Sequence, residues 1–148
     1  MLIDAGRTIR HEFYAKGSPD SLWPHISDAA RMGQWLAAAV DLASEIGAPV
    51  RFAFGDVEII DGVLEAIEPG KRIAFTWVPG TPALWSSDQP THVTIALEPV
   101  FGGQVTRVTL THSDTPDDCR AGFHDDWAQV LVRLLDVAAG VPLAPFPR

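Results

Sequence analysis

Residues 120–140, RAGFHDDWAQVLVRLLDVAAG, decide the fold. Phe123, Trp127, Val130, Leu131, Leu134, Leu135 and Ala138 recur at helical spacing, so they share one apolar stripe. Ahead of them, Thr115-Pro116-Asp117-Asp118 is helix-start chemistry: a capping hydroxyl, a proline whose missing N–H costs nothing there, and acids near the positive end of the dipole. Gly140 suits a left-handed stop, and Pro142 prevents continuation. The strands before this helix are rich in aromatic residues that could cover the stripe. A long helix lying across a curved antiparallel sheet is the expected arrangement, and it encloses space between the two layers.

The strands immediately upstream carry the sharpest inference. Gly102-Gly103 suits a two-residue hairpin turn within the segment 91–113. With that turn, Ile95 faces Leu110, Leu97 faces Val108 and Val93 faces His112, so apolar residues meet apolar ones along one face. His112 therefore points inward and His92 outward, which argues against a metal site shared by the two. Further back, Ile73, Phe75 and Trp77 alternate in a strand, and Glu68-Pro69-Gly70-Lys71 is a turn returning it beside residues 57–67. A bulge is expected at Gly62 in that partner. Val50, Phe52 and Phe54 share one face of the strand before it. Thr8 to Tyr14 alternate as strand one. Two short helices follow, the first capped by Ser18 with Pro19 and Asp20 in its opening turn, the second capped by Asp28 and carrying Met32, Trp35 and Leu36. The stretch from Pro79 to Pro90 reads as a loop, yet it holds Leu84 and Trp85, as if it covered something. Residues 1–140 are expected to form one domain, and 141–148 an extended Pro-rich tail.

Composition narrows the function classes. With 19 acidic against 11 basic side chains the formal charge is -8, and no Lys/Arg cluster exists to neutralise phosphates. Nucleic-acid and membrane-surface roles are disfavoured. The beginning of the chain lacks a basic, apolar signal segment, so a cytoplasmic protein is expected. A single cysteine, Cys119, rules out an internal disulfide and a cysteine-rich zinc site. Flanking Asp117 and Asp118 oppose a thiolate there. The acids near the last helix read as capping and solvated groups, with no recognised metal spacing, and no cofactor is called for.

Several segments together resemble a known family. Ser18-Pro19-Asp20-Ser21-Leu22-Trp23, Gly62-Val63-Leu64-Glu65-Ala66-Ile67-Glu68-Pro69, Arg72-Ile73-Ala74-Phe75-Thr76-Trp77, Thr106-Arg107-Val108-Thr109-Leu110-Thr111-His112, and Trp127 with Leu131 and Leu134 are similar to the activator of heat-shock protein 90 ATPase homologue-like family. That family lies in the SRPBCC superfamily, with START and polyketide-cyclase domains. Two positions depart from its pattern: Ala48-Pro49 replace a glycine pair before a strand, and Asp126 replaces a glycine before the helical Trp. The resemblance implies an α+β helix-grip fold, with an antiparallel sheet of about six strands on the long C-terminal helix and two short helices between strands one and two. The family's co-chaperone role involves a second domain, for which this chain leaves no room, so chaperone activation is not expected.

Such a fold hosts carriers, enzymes and interaction modules alike. The first expectation is non-catalytic binding of a small hydrophobic or amphipathic molecule against Trp35, Phe52, Phe54, Phe75, Trp77, Trp85, His112, Phe123, Trp127 and Leu131. The second is a polyketide-cyclase or hydrolase-like enzyme using His112, with His11 on the neighbouring strand as partner. Against it stands a plainer reading of His112 as a strand-end residue satisfied by backbone or water. The third is an interaction or stress-response module forming a homodimer through Trp85 and the tail.

Overall fold

The computed structural model describes residues 8–37, 39–54, 59–79, 90–116 and 120–141. Strand β1 (Ile9–Lys16) is followed by helices α1 (Pro19–Ser27) and α2 (Ala29–Trp35). Then come β2 (Ala39–Leu42), β3 (Pro49–Ala53), β4 (Ile59–Glu68), β5 (Arg72–Pro79), β6 (Thr91–Val100), β7 (Val105–Ser113) and the long helix α3 (Arg120–Ala138). The seven strands form one antiparallel sheet in the order β1-β7-β6-β5-β4-β3-β2. This is the expected α+β helix-grip architecture, with β2 as an additional short edge strand.

The local chemistry explains the element boundaries. Ser18 accepts from the Ser21 amide at the start of α1, and Asp28 accepts from the Arg31 amide at the start of α2, each satisfying an N–H that the helix leaves unpaired. At the far end of α3, Gly140 takes φ +78°. Its N–H bonds to Val137 O and the Val141 N–H to Asp136 O, the paired closure that only a residue tolerant of left-handed backbone accepts easily. Residues 117–119, including Cys119, lie outside the described residues, as do Leu84, Trp85 and the expected tail from 142.

Register decides which side chains meet. In the β6–β7 hairpin Val93 pairs with His112, Ile95 with Leu110 and Leu97 with Val108, as expected, although Phe101 to Gln104 rather than two glycines turn the chain. The β4–β5 pairing shifts by one residue between Leu64 and Ala66, so the bulge sits at Glu65 and not at Gly62. Gly62 answers a different need: a Cβ there would lie 2.0 Å from Thr76 O.

The core fills the concave side of the sheet. Ile26, Met32, Trp35, Phe52, Ile73, Phe75, Val93, Ile95, Val108, Leu110 and Leu134 are fully buried, and Trp127 and Leu131 nearly so. Burying large side chains of this kind contributes about 1.5–3 kcal/mol each before entropy is counted. Cross-links of polar atoms set the helices on this core. The Trp35 Nε1–H donates to His25 O at 2.7 Å, tying α2 to α1, and Arg133 Nη2 donates to Gln34 O at 2.8 Å, tying α3 to the end of α2.

Candidate functional site

Four elements bring their aromatic residues to one place between sheet and helix. Trp77 on β5 is the hub: its ring centroid lies 5.1 Å from Phe52 and 5.9 Å from Phe54 at the end of β3, 6.2 Å from Phe75, 5.2 Å from Trp127 on α3 and 6.0 Å from His112 on β7. His112 is also 4.8 Å from Phe123. Phe52, Phe75, Trp77, His112 and Trp127 are buried, whereas Phe54 and Phe123 are half-buried and stand at the margin. The rings meet in tilted, edge-on and offset arrangements, the geometries aromatic pairs favour. They therefore pack on one another and occupy much of the layer between sheet and helix.

His112 is held at both nitrogens. The Trp127 Nε1–H donates to His112 Nδ1 at 2.9 Å. His112 Nε2 lies 2.7 Å from Thr91 Oγ1, whose hydroxyl donates to Trp77 O at 2.7 Å. The only consistent proton assignment puts the single ring hydrogen on Nε2, because Nδ1 receives an N–H and Thr91 has already spent its own proton. A second proton on Nδ1 would point at the tryptophan N–H. Burial, aided by charge on His92, accordingly pushes the ring from 6.5 down to about 3. His112 is a neutral pin joining β5, β6, β7 and α3.

This burial carries a pH signature. The unfolded chain, with an ordinary histidine, binds a proton that the folded chain refuses, so the stabilisation is complete above pH 6.5 and is lost as pH falls toward about 3. Between about pH 7 and pH 5, the urea-unfolding free energy of the native protein should fall more steeply than that of His112→Gln, approaching an excess of about 1.4 kcal/mol per pH unit at the lower end. Parallel slopes for the two proteins would show that the ring is not held neutral.

The register places His11 one pair along from His112, on the same face of the sheet. Ile9, not His11, stands opposite His112, and His11 stands opposite Leu110. His11 Nε2 instead donates to His124 O at 3.0 Å, with the two imidazole rings 4.5 Å apart. Trp35 is buried at the α1–α2 junction, Leu131 is buried on α3, and Trp85 is outside the described residues. Sequence reasoning missed Thr91. Strand parity already turned it inward, opposite to His92, but nothing in the chain announced that its hydroxyl would complete the link. Among the described residues no group of three or more His, Cys, Asp or Glu side chains could hold a metal ion, and no helix is long and apolar enough to cross a membrane.

A curved sheet closed by a terminal helix, with its aromatic contents fastened through one neutral imidazole, defines a helix-grip domain of the SRPBCC class. The sequence pattern of the family described as Activator of Hsp90 ATPase homolog 1-like protein matches residues 16–140, and the chain belongs to that family. Three solved structures share the fold. DynU16, a protein from the dynemicin biosynthetic locus, has a TM-score of 0.77 and 22% identity over 92% of this chain and 49% of its own, so this chain spans about half of it. MLL2253 from Mesorhizobium loti has a TM-score of 0.78 and 24% identity, covering 93% of this chain and all of its own. The Aha1 dimer from Colwellia psychrerythraea, solved in solution, has a TM-score of 0.75 and 23% identity over 88% of this chain and 95% of its own. No curated protein matches the sequence significantly.

Proposed function

We propose that this domain binds a small, uncharged hydrophobic molecule without transforming it, at the margin of the aromatic cluster where Phe54 and Phe123 stand half-buried beside Trp77, His112 and Trp127. The observation that carries the reading is the chemistry of that cluster: six aromatic side chains packed around one neutral imidazole. An ionised ligand would lose its water there without gaining a counter-charge. An apolar one loses nothing by entering. Acid–base catalysis fits this site poorly, because a general acid or base needs a nitrogen free for substrate, and both nitrogens of His112 are engaged.

The test is a fluorescence titration with N-phenylnaphthylamine, an uncharged aromatic probe, supported by native mass spectrometry of freshly purified protein. Saturable, blue-shifted emission is expected, with the dissociation constant raised about tenfold by Phe54→Ala or Phe123→Ala. Folded protein that shows no saturable binding would remove the proposal, as would turnover of a bound compound that His112→Gln abolishes.

Self-association is a second reading, favoured by two observations. Phe101 at the tip of the β6–β7 hairpin is 77% exposed and Tyr14 on edge strand β1 is 53% exposed, and the Colwellia neighbour was solved as a dimer. Sedimentation equilibrium of the wild type and of Phe101→Ser distinguishes it from a monomeric binder.

A further inference from the structure

The two edges of the sheet are unlike. β2 is four residues long, as protected edges tend to be, whereas β1 runs for eight residues with no proline, glycine or break in register. β7 pairs with it on one side, and among the described residues no strand pairs with it on the other. Its side chains are incompletely covered as well. On the inner face Ile9 and Ala15 are buried, but Phe13 is only half-buried, and on the outer face Tyr14 stands exposed beside Arg10 and Glu12.

The order of residues along this edge complements itself. Read in opposite directions about His11, the run Ile9-Arg10-His11-Glu12-Phe13 sets Arg10 against Glu12 and Ile9 against Phe13 on both sides of the centre. Directly opposite residues of antiparallel strands share a face, so the apolar pairs fall on the inner face and the charges on the outer. There Arg10 and Glu12 already pair within one chain at 2.9 Å, and two copies would bring together four charges of alternating sign. Other centres do worse. Centring on Arg10 or on Glu12 opposes like charges, centring on Phe13 sets Arg10 against Lys16, and centring on Tyr14 leaves only residues 12–16 in register.

We infer, on the footing that the chain self-associates, that two copies join edge to edge through β1, antiparallel and with the two-fold axis at His11, into one continuous sheet. The contact is isologous: each Arg10 faces the partner's Glu12, and each Phe13 gains the partner's Ile9 as its cross-strand neighbour. Backbone hydrogen bonds between the two edges supply affinity, and the charge pattern fixes the register. A single strand pair buries less than a standard interface of about 1,200–2,000 Å², so the dimer is weak and depends on concentration. It needs no bound molecule.

Sedimentation equilibrium of the full chain from about 1 to about 500 µM tests this, and the wild type should dimerise reversibly. Arg10→Glu opposes carboxylates on both sides of the axis and Glu12→Arg opposes guanidinium groups, so each should raise the dissociation constant about tenfold. An equimolar mixture of the two variants restores every pair of opposite sign, and should form a heterodimer with the affinity of the wild type. Amide hydrogen exchange needs no variant: protection of residues 9–13 should rise with wild-type concentration while that of β2 does not. A dimer whose affinity neither substitution changes, variants that stay apart when mixed, or β1 exchange that ignores concentration in a dimeric wild type would overturn the β1 contact. Self-association by another surface would then survive if Phe101→Ser dissociates the dimer. A wild type that stays a single chain throughout the range would remove both.

Discussion

Trp127→Ala should lower the free energy of unfolding by about 3–5 kcal/mol, measured by urea denaturation at neutral pH. The indole is 2% exposed and packs on Trp77 and His112, so its removal forfeits a large apolar surface and leaves a cavity between helix and sheet. It also removes the N–H received by His112 Nδ1, leaving a buried acceptor without a partner. Trp127→Phe separates the two effects. It retains most of the volume but not the hydrogen bond, and should cost about 1–3 kcal/mol. If the phenylalanine variant were as stable as the wild type, the imidazole link would contribute nothing and His112 would be a mere filler. If the alanine variant lost less than about 1 kcal/mol, α3 would not be seated on the aromatic cluster at all.

Gly62→Ala should be at least as damaging, with a loss of about 4 kcal/mol or more and little folded protein recovered. The added methyl would lie 2.0 Å from Thr76 O and 2.7 Å from Thr76 C, both backbone atoms of the neighbouring strand, so no side-chain rotation relieves the clash. The strands themselves would have to separate, where Val63 N–H also donates to Thr76 Oγ1 at 2.8 Å. Trimming the neighbour should not help. The double variant Gly62→Ala/Thr76→Ala is expected to be no more stable than Gly62→Ala, and a recovery to near wild-type stability would locate the conflict in the threonine side chain instead.

What could be read from the chain depended on how far apart the interacting residues lie. The β6–β7 register was legible because the turn residues and the alternation on both sides agree, and one wrong step would have turned every apolar residue outward. The end of α3 was legible because Gly140 and Pro142 are local signals. The pairing of β1 with β7 spans almost the whole chain and has no turn to set it, so the sequence could make His11 a neighbour-strand candidate for His112 but not give the register that puts Ile9 opposite it. β2 went unread because Ala39-Val40-Asp41-Leu42 emerges from an alanine run that suits helix better than sheet. Gly62 drew attention as a bulge, yet the register shift falls at Glu65, whose residue type gives no sign of it. At the site, parity was enough to turn the aromatic residues and His112 inward. The hydrogen bonds from Trp127 through His112 and Thr91 to Trp77 join four elements, and no pattern along one strand or helix encodes such a link.

Trp77 and Trp127 come from opposite layers, yet their rings sit 5.2 Å apart with planes inclined at 50°. Two indoles so close and so oriented share their electronic excitation, which splits their circular dichroism into a couplet of opposite signs. Loss of that couplet on unfolding is the expected optical sign, without label or mutation, that helix and sheet have parted.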